Sequence, residues 1–341
     1  MEYRRVQTSG KASYILCLPK NWIEENRIKK GDLVSVKYVD GDLVISKVQK
    51  NKREKEKPFH KIVVDNIPDE LLTVLIQGAY IDGFDNLEIV TTKKEMDPSI
   101  KRLVIDTIQD LIGFEVTSDS KNSIIIENIS EPSEFNVKKV VDQLFRLSYE
   151  MKIVLLEALI ARDPKIVENI ETMKRMVNRL NLLSQRLINM GIHNNEIARK
   201  IGIEGNIYSI HLGNIIRLLN WNTATMLKMA QQVEIINSFK IPDKLLELYK
   251  TLPMDREIPH FKESEPSHKR SLEFDITLFQ TVEQLLRTME EIRKKAAEEP
   301  LEPKLRVHLE NFNSMLQSLY ENTLKYVKEI LCIEHFELTK Q

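Results

Sequence analysis

A helical repeat of apolar residues, sustained over most of the chain, limits the possible folds more than any other feature. From residue 135 onward, apolar side chains recur every three or four positions, as at Val140, Val141, Leu144 and Leu147. This spacing puts them on one helix face, which has to be buried against other helices. The pattern predicts a first helix that ends at 163–164 and further helices over 165–190, 207–237, 243–250, 271–299 and 303–335. Long helices separated by short or proline-marked breaks are typical of antiparallel bundles.

The stretch 59–131 has a mixed pattern. Short β-branched runs alternate with helical segments over 69–80 and 98–112, and two further strand-like runs flank a polar turn at 118–122. The resulting order, β-α-β-α-β-β within about 70 residues, predicts a small sheet covered by two helices. We therefore expect an α+β connector domain here.

Residues 1–48 contain strand-like segments over 14–18, 33–38 and 43–45, with a tight-turn dipeptide at Asp40-Gly41. A segment of this size cannot bury a sufficient core alone. We expect two copies to complete one core as a homodimer. The apolar-free run that follows predicts a charged linker over 49–58.

Charge is distributed unevenly along the chain. The whole sequence has 50 Lys and Arg against 51 Asp and Glu, yet residues 1–57 carry 14 basic and 8 acidic side chains, a net charge of about +6. The remaining residues carry about −7. A basic segment on an acidic body favours a polyanionic partner for the basic segment only.

Several classes of protein are disfavoured. The sequence has no glycine-rich phosphate loop, no HExxH and no GxSxG motif, so we expect no enzyme activity. Cys17 and Cys332 form no CxxC pair, which disfavours a disulfide framework and fits a reducing compartment. No apolar run approaches the roughly 18 residues that a membrane span needs, and the first residues lack a secretion signal. We expect a cytoplasmic protein without membrane insertion.

The N-terminal motif carries a family resemblance. Arg4-Arg5 through Lys11, then Leu18-Pro19-Lys20, then Lys29-Lys30-Gly31-Asp32 resemble the SpoVT/AbrB swapped-hairpin family. In that family two chains interleave hairpins into one barrel that binds double-stranded DNA. The resemblance implies DNA contacts from Arg4, Arg5 and Lys11, with Lys20 a weaker candidate. A module that only dimerises is the alternative.

The whole order of the chain resembles archaeal-type PhoU-like phosphate regulators, through the patterns at Tyr80-Ile81-Asp82-Gly83-Phe84-Asp85 and Leu111-Ile112-Gly113-Phe114-Glu115. The resemblance implies a mostly α, α+β protein with a swapped-hairpin β-barrel module. After the connector it implies a PhoU-like three-helix bundle over 135–237 and a second, divergent one over 238–341.

PhoU bundles carry acidic pairs four residues apart, which bind iron or zinc in some members. This chain has Lys174 and Asn178, then Ile216 and Asn220, at the matching positions, and Glu310 is followed by Ser314. An amide brings no charge to a cation and an apolar side chain brings no ligand. We therefore expect no metal and no other cofactor. Instead, asparagines are expected to form one polar seam between helices, namely Asn178, Asn181, Asn214, Asn220 and Asn222.

Together these features predict a DNA-binding transcriptional regulator of phosphate uptake or homeostasis, with the bundles receiving the signal. One alternative is an adaptor that contacts a phosphate transporter or its sensor kinase, with the N-terminal module serving dimerisation alone. A second alternative is a metal-dependent sensor, which a stoichiometric bound metal would indicate.

Overall fold

The computed structural model describes residues 3–9, 13–39, 42–47, 59–203, 205–252 and 272–338. The chain is α+β and mostly α, as the sequence predicts. It forms two compact units, Met1–Pro58 and Phe59–Gln341. Lys11, the Asp40-Gly41 turn and the linker 49–58 lie outside the described residues. The finer domain boundaries, at 131–135 and 237–238, stay predictions.

The first unit contains two antiparallel strand pairs. Strand β1 (Gln7–Ser9) pairs with β2 (Ser13–Ile15), and after helix α1 (Lys20–Glu25), β3 (Val34–Val39) pairs with β4 (Asp42–Lys47). The second pair confirms the predicted hairpin. The strand predicted over 14–18 ends earlier, and β1 was not predicted, because three polar residues give no alternating pattern. The interleaved barrel requires a second chain and stays a prediction.

The second unit starts with the predicted β-α-β-α-β-β order. The six elements are β5 (His60–Val63), α2 (Asp69–Ile81), β6 (Asn86–Val90), α3 (Pro98–Ile108), β7 (Phe114–Asp119) and β8 (Ser123–Asn128). The sheet order is β5-β6-β8-β7, with β5 and β6 parallel and the other neighbours antiparallel.

Alternation within the central strands determines where this part has its core. Leu87 and Ile89 of β6, and Ile124 and Ile126 of β8, are fully buried, while the residues between them are less so. Period-two burial of this kind means that one face of the sheet is covered. Residues from α2 and α3 belong to the same hydrophobic cluster.

The helical body follows. Its elements are α4 (Val137–Ala161), α5 (Ile170–His193), α6 (Asn195–Ile201), α7 (Asn206–Asn237), α8 (Asp243–Lys250), α9 (Leu272–Glu298) and α10 (Pro303–Leu338). Short 3-10 segments cover Pro132–Glu134 and Pro164–Asn169. The predicted second helix therefore begins five residues later than expected, because the segment after Asp163 forms the tighter 3-10 turn.

One continuous hydrophobic core runs through all of the long helices. It includes Val137 at the start of α4 and Ile330 near the end of α10. Helices α4, α5 and α7 pack on one another, and α7 packs most extensively against α10, which also contacts α9. Helix α7 is therefore shared by the two helical regions that the sequence analysis treated separately.

A buried arginine joins the α+β part to the helical body. Arg186 of α5 is only 3 % exposed. Its guanidinium donates to the carbonyl oxygens of Tyr80 at 2.6 Å and Phe84 at 2.9 Å, and to Asp85 Oδ1 at 2.7 Å. The same group lies 4.9 Å from the Tyr80 ring centre and 5.3 Å from that of Phe114. These contacts bind α5 to the end of α2.

Candidate nucleic-acid interface

The two arginines at the start of the chain lie on the surface of the first unit. Arg4 and Arg5 lie two to three residues before the start of β1, and both are exposed. In the β1–β2 ladder Gln7 faces Ile15, so the arginines continue the chain beyond the last paired residues. The structure therefore places both side chains where a large polyanion can reach them. Lys11, the third candidate, falls in the undescribed connection between the strands.

Lys20 is the first residue of α1, directly after the N-capping Pro19. Its Nζ lies 3.6 Å from Glu24 Oε1, and both side chains are mostly exposed. An exposed i,i+4 pair is worth only about 0.3–0.5 kcal/mol, so it does not prevent a phosphate contact. The positive charge also sits at the positive end of the helix dipole. A nearby anion would relieve this repulsion.

The turn after α1 adds cations that the sequence analysis did not count as candidates. Arg27, Lys29 and Lys30 are all exposed. The backbone amide of Lys29 donates to Asp32 Oδ2 at 2.8 Å, which holds the turn. The Lys29-Lys30 dipeptide belongs to the motif that carries the family resemblance, but its side chains were not named as DNA contacts.

The described part of the first unit has no core of its own. None of its side chains whose burial is described, within residues 3–47, is buried. Tyr3, Tyr14 and Tyr38 are 84 %, 77 % and 78 % exposed. The other large hydrophobic residues at its surface are Val6, Ile15, Leu16, Leu33, Val36, Leu43 and Val44. So much apolar surface on a small unit indicates a surface for association.

The helical positions that were compared with the PhoU metal pattern have different surroundings in the structure. Lys174 is 3.8 Å from Glu171 on its own helix, and Ile216 is buried in the core. Asn220 lines a groove between α5 and α7. Within the described ranges, no three His, Cys, Asp or Glu side chains are grouped so that they could hold a metal ion.

The prediction that the five asparagines form one seam is wrong, because at least two of them have partners on a different helix. Asn222 accepts from Asn322 of α10 at 2.9 Å, and Asn214 donates to Glu329 of α10 at 3.2 Å. Asn181 lies instead on the α5 side of the groove. Sequence spacing along single helices could not show that α10 covers one flank of α7.

A second buried cation lies in the helical body. Lys152 of α4 is 7 % exposed, and its Nζ is 3.8 Å from the Tyr149 ring centre and 5.1 Å from that of Tyr320. Among the described residues no carboxylate lies within ion-pair distance of it. Burial therefore lowers the pKa of Lys152 to about 7.

Comparison with known proteins identifies the type of the first unit. Residues 7–53 match the family described as antidote–toxin recognition MazE, a bacterial antitoxin. The chain thus has an N-terminal domain of the MazE/AbrB type, which supports the swapped-hairpin DNA-binding module predicted there. No curated protein and no solved structure gives a significant match. The match gives no support to the PhoU-like prediction for residues beyond it.

None of the helices in the described part of the chain combines the length and the hydropathy that crossing a bilayer requires.

Proposed function

We propose that the chain is a DNA-binding regulator whose N-terminal module binds duplex DNA as a homodimer. The observation that carries this proposal is the MazE-type match over 7–53 on a unit in which no side chain of described burial is buried. A second copy would cover the exposed apolar residues. It would also double the net charge of about +6 that residues 1–57 carry.

In this mechanism Arg4 and Arg5 neutralise backbone phosphates and release counterions. Each neutralised phosphate contributes about −0.9 to the slope of log K against log salt concentration. Lys20 and the exposed cations after α1 add further phosphate contacts. An arginine that reaches a groove can also donate two hydrogen bonds to a guanine edge.

The test measures binding of the full-length chain to duplex DNA by fluorescence anisotropy over a series of KCl concentrations. The double variant R4A/R5A removes four cations per dimer, so the slope should become shallower by up to about 3.6. The control K93A/K94A removes the same charge from an exposed pair in the other unit. Its slope should match that of the unchanged chain. An equal slope for R4A/R5A and the control would show that neither arginine contacts a phosphate.

We further propose that the helical body receives the signal, and that the regulated process is phosphate uptake or homeostasis. The support is the resemblance of the middle region and the bundles to PhoU-like regulators. Mapping the bound DNA across the genome in phosphate-rich and phosphate-poor cells tests this part. Binding that is unchanged between the two conditions would contradict the phosphate role and leave DNA binding intact.

Toxin recognition is a second candidate function, favoured by the description of the matched family. In that case the exposed apolar surface of the first unit would bind a protein toxin. Stable capture of such a toxin by the full chain, together with no measurable affinity for DNA at low salt, would favour it. The same absence of DNA binding would also favour the adaptor for a phosphate transporter or sensor kinase.

A further inference from the structure

Strand β5 forms a free edge of the four-stranded sheet. It lies at the end of the order β5-β6-β8-β7, and among the described residues only β6 pairs with it. Val64, directly after β5, donates its backbone amide to the Val90 carbonyl oxygen of β6 at 2.9 Å. Backbone groups alternate sides along a strand, so Lys61 and Val63 direct their N–H and C=O groups to the free edge. Such groups are available to pair with another strand.

The opposite edge of the same sheet is protected against strand pairing. Strand β7 has an irregular register between Val116 and Ser118, and it exposes the acidic residue Glu115. Bulges and charges of this kind prevent edge-to-edge association. Strand β5 keeps a regular register with β6, and the Nζ of its lysine, Lys61, lies 3.4 Å from Glu88 Oε2 on β6. Of the two edges, β5 is therefore the one suited to pairing.

Helix α2, which contacts β5, has apolar residues on two faces. One face is buried in the core of the α+β part. The other face exposes Leu71, Val74 and Leu75, which are three or four positions apart. A helix that is apolar on both sides is expected to be buried on both. Together with β5 and the exposed Phe59, Val63 and Phe84, these residues form what we call the edge surface. So much exposed apolar area within residues 59–84 indicates a site of association.

We propose that the edge surface binds a second copy of this chain, with the two β5 strands antiparallel and the two α2 helices side by side. A strand pairs in this way with its own copy about a two-fold axis, which closes the assembly at two chains. One register places Ile62 opposite the partner's Ile62. The free backbone groups of Lys61 then pair with those of the partner's Val63, and the two lysines do not face each other. The buried Ile62 stays on the helix-covered face.

Charge and chain connectivity favour a second copy over another partner. The acidic residues of α2, Asp69 and Glu70, both lie in its first turn. Antiparallel α2 helices would therefore place their two acidic ends far apart. Only residues 48–59 separate β4 from β5, so a homodimer of the first unit would give the second β5 a high effective concentration. To this extent the choice of a second copy rests on the proposed homodimer, whereas the edge surface itself does not.

Sedimentation equilibrium of the full-length chain tests the edge surface, with V36E present to weaken association through the first unit. The V36E chain should still form dimers, and V36E/V74E should have a dissociation constant at least tenfold higher than that of V36E. Val74 is 60 % exposed, so a glutamate there leaves the folded chain undisturbed. The control V36E/V307E makes the same change on α10 at a position that is 54 % exposed. Its dissociation constant should equal that of V36E.

A proline at Val63 tests the strand pairing itself. Proline is tolerated on an edge strand where the missing N–H would have faced solvent, so the sheet should stay folded. The melting temperature of V36E/V63P, measured at a concentration where V36E is monomeric, should therefore lie close to that of V36E. Its dissociation constant should rise at least tenfold, because the N–H that pairs across the two-fold axis is gone. V36E/V63T keeps the N–H and the β-branched shape, and it should dimerise like V36E.

Two results would overturn the proposal. One is a V36E chain that is entirely monomeric at roughly 100 μM, which would leave the first unit as the whole dimer interface and the edge surface to a strand of another protein. The other is that folded V36E/V74E and V36E/V63P dimerise as tightly as V36E. The opposite result would separate the two proposals. If V36E changes nothing and V74E alone breaks the dimer, the edge surface stands and the homodimer through the first unit fails.

Discussion

Arg186 is a charged side chain whose guanidinium lies almost entirely inside the protein. It has three acceptors, two backbone carbonyls and the Asp85 carboxylate, and two aromatic rings beside it. Burial disfavours its charge and lowers the pKa of Arg186, which the Asp85 carboxylate opposes. The cost of burying the Arg186 charge is therefore offset only while these acceptors and rings remain.

We predict that R186M destabilises the protein by about 3–5 kcal/mol, because the Asp85 carboxylate and the Tyr80 and Phe84 carbonyls lose the guanidinium that donates to all three. R186K keeps the charge but cannot reach all three acceptors, so its loss should be smaller. Urea unfolding of the full chain measures both. The control is R146M, which removes the i,i+4 pair of a mostly exposed arginine with Asp142 and should cost less than about 1 kcal/mol. Equal losses for R186M and R146M would contradict the role of Arg186.

Lys152 makes stability depend on pH. Its pKa is about 7 in the folded protein and about 10.4 in an unfolded chain. Between these values the unfolded chain binds a proton that the native protein does not, so stability rises with pH by at most about 1.4 kcal/mol per unit. Below about pH 7 both states are protonated and the full cost of the buried charge remains.

We predict that K152M is more stable than the unchanged chain at pH 7, by roughly 1–4 kcal/mol, because no ammonium is buried. The variant should also lose the rise in stability between about pH 7 and about pH 10. Chemical unfolding at several pH values tests this, with K228M on α7 as an exposed control. If K152M shows the same slope as K228M, Lys152 does not titrate in this window.

The sequence allowed exposed candidate DNA-contacting residues to be predicted, but it did not reveal the contacts of buried charged residues. Arg4 and Arg5 stand in a recognisable motif, and both are on the surface. The acceptors of Arg186 lie about 100 residues earlier in the chain, so no local pattern could reveal the contact. Lys152 offered a signal, since it interrupts an otherwise apolar helix face. The sequence analysis did not use that signal.

At the scale of elements, the helical repeat predicted the long helices well. The predicted range 207–237 agrees with α7, and 243–250 agrees with α8. Helix α6 was missed, although Asn194 supplies a side-chain cap by accepting from the backbone amides of Glu196 and Ile197. A seven-residue helix is too short to show a clear repeat.

Two glycines in the α+β part give a matched prediction. Gly113 has a φ of 89°, and a Cβ there would collide with the Ser130 and Asn128 side chains. G113A should therefore destabilise the protein by more than about 1 kcal/mol. Gly78 is inside α2 with open space around it, so G78A should stabilise by about 0.5–1 kcal/mol. Thermal unfolding measures both, and a shift of the same sign for the two variants would contradict this account.

At the scale of the whole molecule, no side chain is buried among the residues of the first unit whose burial is described, whereas the second unit has a core that spans all the long helices. Sequence length predicted that the first 48 residues are too few for a core, and none of their side chains whose burial is described is buried. The sequence could not indicate that the two helical regions share one core, because their periodicities describe each helix alone and not its neighbours.

We predict that the chain is a dimer and that V36E weakens the dimer by at least tenfold. Val36 is 56 % exposed in the β3–β4 hairpin, and a charge there cannot be buried in an apolar interface without a large cost. S46E changes an exposed polar residue of the same hairpin and should leave the dimer intact. Sedimentation equilibrium at micromolar concentration measures the dimer dissociation constant of each variant. A dimer that survives V36E would be held together elsewhere.

Helix α7 has 32 residues, which corresponds to a rod of roughly 48 Å. Helices α4, α5 and α10 all pack against α7, so its apolar faces are buried only when all three are present. A shortened chain that ended after Asn237 would lack α10. The face of α7 that α10 covers would then be exposed and prone to aggregation. The two halves of the body share this helix, and α4 also contacts α8 and α10, so any rearrangement of one half has to be accommodated by the other.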